Sequence, residues 1–216
     1  TEGTVLSEPV SFKLYDLAGT PSPNTNYFHF RVIDSAQEAS PTSQYEGDFW
    51  GLYISIEQPE GEFLRERDLP DGNIFNLHGV AGSTQRSQGS ELPTDKADLT
   101  AFVNGYKSNQ TLAWWDANLN YDSYFAWYAI NRAVNNGDLR PEENVNYYHN
   151  QETGEWYTIP WDMDLTFEDA PHWSRPPAQF EDIDNVFAQH PSVRLAYQNY
   201  VRELQDLLFD SGDAAR

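Results

Sequence analysis

Two carboxylates flank a single residue in Trp156-Tyr157-Thr158-Ile159-Pro160-Trp161-Asp162-Met163-Asp164-Leu165-Thr166-Phe167, directly after an apolar, β-prone run. A strand end is a rigid place from which charged groups reach the lip of a cleft. Paired carboxylates there suit a hard divalent cation, which takes oxygen ligands. If strand spacing continues through them, Asp162 and Asp164 project to the same side, because side chains alternate with period two. A third carboxylate, Asp138, follows Asn135-Asn136-Gly137, a break with turn chemistry. Taken alone, a D-x-D step also fits a solvated turn after an edge strand, so its meaning rests on the elements that hold it.

The spacing predicts a helix from about Tyr121 to Val134, with Tyr124, Phe125, Trp127, Tyr128, Ile130 and Val134 covering most of its circumference. A helix apolar on most sides is normally buried, so this one is read as the central helix. After the polar loop Leu139 to Val145, Asn146-Tyr147-Tyr148-His149 is expected to pair with Glu155 to Ile159 across a Thr153-Gly154 turn. Earlier, Tyr27 to Ile33 alternates Phe28, Phe30 and Val32 against His29 and Arg31, the pattern of a half-buried strand. Phe49 to Glu57 reads as its antiparallel partner, with Gly51 marking a bulge or a close approach.

Val10 to Tyr15, which carries Lys13, reads as a strand, and the Gly/Ser/Gln-rich stretch Gly79 to Pro93 as a flexible surface loop. The charged run Glu60 to Asp71 is a solvated helix or loop. Thr94 is the expected N-cap of a helix bearing Leu99, Phe102, Val103 and Tyr106. An amphipathic helix is expected from Val193 to Leu208, with Pro191 in its first turn. His78, His149 and His172 lack metal-ligand spacing, and Trp114-Trp115 is read as core packing rather than a sugar platform.

Composition bounds the function classes. The chain has 216 residues, 13 Lys+Arg against 34 Asp+Glu, and a net charge of −21. That excess opposes non-specific binding to nucleic acid or to an anionic membrane surface, and favours a cation-dependent site, a basic partner or a salty extracellular setting. The 15% aromatic content argues for a packed core rather than an acidic disordered tail. Cysteine is absent, and no apolar run approaches the roughly 20 residues of a membrane span.

Buried helix, loop with Asp138, hairpin, then Asp162 is an order of parts with mechanical meaning. Protein kinases use it for phosphoryl transfer: a loop Asp accepts the hydroxyl proton, a nearby Asn binds metal, and an Asp after a hairpin holds magnesium. The spacing from Asp138 to Asn146 is eight residues, against five in the kinase H-R-D-x-x-x-x-N pattern.

Further blocks carry a family resemblance. Gly51-Leu52-Tyr53-Ile54-Ser55-Ile56-Glu57-Gln58, Phe63-Leu64, Leu69-Pro70-Asp71-Gly72-Asn73-Ile74-Phe75, Asp98-Leu99-Thr100-Ala101-Phe102-Val103-Asn104-Gly105 and Ile159 to Phe167 resemble the CotH (spore-coat protein H) kinase family, in family order. The resemblance implies an α+β, divergent protein-kinase-like fold. It would have an antiparallel sheet region over about residues 1–90 and a mainly helical lobe over about 91–216, forming one domain that lacks upstream N-lobe strands. It also implies transfer of phosphate from ATP to Ser/Thr of a secreted or surface protein, with Mg²⁺ or Mn²⁺, in a bacterial extracellular setting. Carried over by position, Asp138 is the catalytic residue and Asp162 the metal ligand. Asn144 and Asn146 compete for the next ligand position, Asn146 being preferred. Asp164 is a second ligand or a support for the first, and Glu57 orients the nucleotide-binding face. Asn76 stands on that face where many relatives have Lys, and a neutral amide cannot neutralise phosphate. This departure keeps a second reading open, a non-catalytic, pseudokinase-like binding module. A glycoside hydrolase built on paired carboxylates is a third.

Overall fold

The computed structural model describes residues 6–34, 48–139, 142–167 and 182–209. His172 and much of the polar loop between the first two strands therefore lie outside the described residues.

The first helix, α1 (Ser7–Ala18), replaces the strand expected at Val10 to Tyr15. Its buried residues are Ser7, Ser11, Phe12, Tyr15 and Ala18, a helical stripe. Gly19 stops it at φ 97°, with Gly19 N–H donating to Asp16 and Thr20 N–H to Tyr15. That is the Schellman pattern, for which glycine is suited because it reaches positive φ without a Cβ penalty. Lys13 lies on the exposed side, paired with Asp16 at 2.6 Å.

β1 (Thr25–Val32) and β2 (Asp48–Ile56) pair antiparallel as expected, Phe28 opposite Tyr53 and Tyr27 opposite Ile54. The register shifts after Phe30, beside Gly51 at φ 122°. The strand is not half-buried, however: Phe28 and Phe30 are exposed, and they pack on Tyr53 and Trp50 of the partner strand. Alternation marks two faces without covering either: Tyr27 and His29, on the opposite face, are exposed as well.

The second sheet runs β4-β3-β5-β6, all antiparallel, from β3 (Gly72–His78), β4 (Thr84–Ser87), β5 (Glu143–Asn150) and β6 (Trp156–Pro160). The β5–β6 hairpin has the expected register, Asn146 opposite Ile159 and His149 opposite Trp156. This sheet draws strands from both sides of residue 90, so the sheet-rich and helical parts are interleaved rather than successive. A Cβ at Gly72 would stand 2.1 Å from the His149 carbonyl, so the β3–β5 approach needs glycine there.

Helices cover both faces of this sheet. On one side α2 (Gly61–Glu66) lays Phe63 and Leu64 against Ile74, Tyr148 and Ile159. On the other lies the main core, with α4 (Ala97–Tyr106), α5 (Leu112–Asn118) and α6 (Tyr121–Ala133). There Phe102 stacks on Trp156, which stacks on His149, and His149 Nδ1 bonds Asp98. The stretch read as a flexible loop holds α3 (Gly79–Gly82) and β4, and Asn73 Oδ1 anchors the Gly89 N–H. α4 starts after Lys96, not Thr94, with the Ala97 N–H donating to Asp95.

As read from its pattern, α6 is the central helix, buried from Ser123 to Asn131. Asn120 caps it by accepting from the Ser123 N–H. α7 (Asn185–Gln189) and α8 (Pro191–Phe209) close the far side.

Candidate functional site

What positions the site is a bolt between α6 and β6. Ser123 Oγ donates to the Thr158 carbonyl and accepts from its N–H, and Thr20 Oγ1 donates to the same carbonyl at 2.7 Å. These groups are buried, so their bonds are strengthened by the low local dielectric. The helix that leads to Asp138 and the strand that leads to Asp162 are thereby held as one piece.

Beyond the bolt, the two loops are joined directly. Gly137 N–H donates to the Leu165 carbonyl at 2.9 Å, and Phe167 N–H to the Val134 carbonyl at 2.6 Å. Asn136 carries the connection inward: its Nδ2 donates to Asn131 Oδ1 on α6, and its Oδ1 accepts the Asp138 N–H. Met163 is fully buried and receives Asn136 Nδ2 on its sulfur. Ser11 of α1 bonds Thr166, which donates to the Met163 carbonyl.

Met163 explains a correction. β6 ends at Pro160, and Asp162 adopts φ 58°, so Asp162-Met163-Asp164 is a turn rather than a continuing strand. The carboxylates are not neighbours through period-two spacing; a buried Met163 pins the turn between them. A left-handed non-glycine residue at such a place is strain that the surrounding bonds must hold.

The result is a crowd of negative charge. Desolvation, followed by the charges of Asp164 and Asp138, pushes the Asp162 carboxyl above its usual range. Among the described residues, Asp162 forms no hydrogen bond that would offset this. A cleft of about 240 Å³ opens beside it, lined by Glu8 and Phe12 of α1, Ile54 and Ile56 of β2, Gln58, Trp161 and Asp162. None of these lining residues is Lys or Arg. Sequence reasoning missed Glu8, because nothing local announces that it shares a cleft with residues as distant in the chain as Trp161 and Asp162.

The two asparagines have different surroundings. Asn144, at φ 57°, donates from Nδ2 to both the Asp138 carbonyl (3.0 Å) and Asp138 Oδ2 (3.1 Å). Asn146 is buried within the sheet and accepts from Asn76 Nδ2 at 3.0 Å. It shares a sheet face with Tyr148, on the α2 side. Asn144, and not Asn146, is the asparagine brought to Asp138, and Asn76 spends its amide on Asn146 rather than on the cleft.

Glu57 is not brought to the cleft either. Ile54, Ile56 and Gln58 face it, and Glu57 between them turns away, as strand alternation requires. Both its oxygens take Arg67, at 3.1 and 2.7 Å, and one takes the Asn24 N–H as well. Burial alone would raise its pKa, but the Arg67 and Asn24 bonds hold it below the ordinary value. Its place in the structure is a brace between β2 and the end of α2.

The family model described as CotH kinase protein matches residues 1–214, nearly the whole chain. The chain belongs to the CotH kinase family. No curated protein matches it. Membership points to a kinase-like function, and kinase-like families in general use ATP and a divalent metal.

The residues present can be tested against such a metal. Among the described residues, no three His, Asp or Glu side chains converge into a self-sufficient metal group. Magnesium does not demand one: it binds through one or two carboxylates and completes its shell with water and substrate phosphates. Asp162, with Asp164 and Asp138 close enough to raise its pKa, and Asn144, whose Oδ1 accepts no hydrogen bond among the described residues, are oxygen donors of the kind that pattern uses. The exposed Trp groove of a glycosidase is not formed by Trp114 and Trp115, since Trp115 is buried and Trp114 stacks on Phe102.

Proposed function

We propose that this CotH family member is a metal-dependent phosphotransferase on a divergent kinase-like fold. It would move the γ-phosphoryl group of ATP to a Ser or Thr hydroxyl of a protein substrate. The observation that carries the reading is the joined pair of loops, which sets Asp138 beside Asp162 and Asp164 and leaves Asp162 short of a counter-charge. Bound there, Mg²⁺ or Mn²⁺ supplies charge neutralisation on the transferring phosphoryl group. Asp162 and Asp164 would hold it, with Asn144 Oδ1 as the neutral donor. Asp138 would accept the proton of the attacking hydroxyl, oriented by the two bonds from Asn144. A surface or extracellular setting accords with the family resemblance and the net charge of −21.

The test is phosphate transfer from labelled ATP to a Ser-rich peptide with Mg²⁺ or Mn²⁺, comparing wild type, Asp138→Asn and Asp162→Ala. Both substitutions are expected to abolish transfer, and transfer that survives Asp162→Ala would overturn the role given to it. A second reading, a non-catalytic binding module, is favoured by one observation: the described residues lining the cleft include no Lys or Arg to grip phosphate. Nucleotide binding without turnover in any metal would select it.

A further inference from the structure

A second pocket, of about 550 Å³, lies between α6, α7 and α8. It stands on the opposite side of α6 from the bolt, since Arg132 is nine residues from Ser123 and thus half a helical rotation away. Its volume is in the range of small-molecule sites. Three rings form its wall: Tyr128, Phe187 and Tyr197, with centroids 5.0 to 5.3 Å apart pairwise. Arg132 is committed to that wall, its guanidinium over the Tyr128 ring and bonded to the Tyr128 hydroxyl. Asp184 is committed too, receiving the Tyr124 hydroxyl.

Arg194 is different. It precedes Tyr197 and Gln198 by three and four residues on α8, so all three share a helix face and all line the pocket. Arg194 is exposed, and among the described residues its guanidinium makes no ion pair or hydrogen bond. In a chain with only 13 cationic side chains against 34 acidic ones, an uncommitted guanidinium beside an aromatic wall is a specific resource. The guanidinium fork matches phosphate and carboxylate oxygens, and aromatic faces hold planar rings.

We propose that this pocket binds a small anion carried on a planar ring, with Arg194 and Gln198 taking the anionic group and the Tyr128–Phe187–Tyr197 wall taking the ring. This site is separate from the phosphotransfer site and does not depend on that reading. Phenyl phosphate is the probe, titrated into the full chain by calorimetry, with inorganic phosphate and phenol as half-ligands and benzoate to compare the anion. Saturable binding is expected for phenyl phosphate, weakened at least tenfold in Arg194→Gln and in Tyr197→Ala, and at least tenfold weaker for either half-ligand. Benzoate binding equal to phenyl phosphate assigns a carboxylate-bearing ring; weaker binding assigns a phosphate-bearing one. Because Arg194 is exposed, Arg194→Gln should keep the wild-type melting temperature, and it is the deciding variant if Tyr197→Ala unfolds. No saturation by either anion up to about 10 mM overturns the proposal, that being weaker than millimolar affinity. So does equal affinity in Arg194→Gln, or a half-ligand that binds as tightly as the whole.

Discussion

Replacing Asp162 by Asn should stabilise the metal-free protein while abolishing its response to metal. Desolvation and the charges of Asp164 and Asp138 raise the carboxyl's folded pKa above its unfolded value. The folded state therefore binds the proton more tightly, and stability falls as pH climbs through the window between the two values. Below the unfolded value of about 4 both states are protonated and the penalty vanishes. At neutral pH it is fully present. Since Asp162 keeps a solvent-facing edge, screening limits the penalty to the scale of exposed charge pairs, about 0.5 kcal/mol. Asparagine is isosteric, tolerates φ 58°, and sacrifices no hydrogen bond, since Asp162 makes none among the described residues. For a chain of this size 0.5 kcal/mol corresponds to roughly 1–2 °C in Tm. The assay is thermal unfolding at pH 7.5 in EDTA, then with Mg²⁺ or Mn²⁺ at about tenfold excess over Kd. Wild type should gain about 1.4 kcal/mol, or roughly 3–6 °C, from the metal. The variant should start higher and gain nothing. A variant that melts lower in EDTA, or keeps the metal-induced gain, would refute the argument from charge crowding.

Asn144→Gly preserves the left-handed backbone at φ 57° while removing both bonds to Asp138. It should lower kcat for phosphate transfer by about 100-fold, the scale of a misplaced catalytic group, whereas Asn146→Ala should cost stability and spare kcat. Steady-state kinetics on both variants decides this. Arg67→Met strips Glu57 of its partner in a pair whose side chains are only 18% and 19% exposed. Chemical denaturation should show a loss of about 3 kcal/mol at pH 7, the lower end for a broken buried pair. Because the folded pKa of Glu57 is depressed, that difference should be present above the unfolded value of about 4.3 and shrink as pH falls through the folded one. Finally, equilibrium dialysis should find ATP bound with Mg²⁺ or Mn²⁺ and unbound in EDTA; equal affinity in both would mean that protein cations grip the phosphates.

The parts of the fold with strong period were legible. α6 showed itself by apolar residues all round, α8 by its stripe, and the β5–β6 hairpin by two β-prone runs around Thr153-Gly154. α1 was not legible, because its buried stripe is built partly from Ser7 and Ser11, small polar residues that hydropathy does not mark. The exposure of Phe28 and Phe30 was hidden for a different reason: alternation separates two faces but does not say that either is covered, and Tyr27 and His29 on the other face are exposed as well. In the site, the types of the acids were readable and their geometry was not. β6 ends at Pro160 and Asp162 lies at φ 58° with Met163 buried beside it, and Asn144, itself left-handed at φ 57°, is the asparagine that meets Asp138. Neither is a local propensity; both follow from tertiary packing.

The charge distribution then links these observations. Lys13 sits on the same helix as Glu8, yet it faces out and pairs with Asp16, and Arg67 is spent on Glu57. Asn76, where a Lys would carry charge, is neutral and bonded to Asn146. The cleft beside Asp162 thus presents carboxylates, one amide and apolar walls to any ligand. Among the described residues lining it, a nucleotide triphosphate would meet like charge at Glu8 and Asp162, and at about 4 Å each such encounter costs several kcal/mol when partly desolvated. Cations arriving with the nucleotide reverse the sign of both problems at once, relieving Asp162 and neutralising the phosphates. The same acids that repel one another without metal would therefore make nucleotide binding conditional on metal, and stability, affinity and turnover would all follow the occupancy of one cation position.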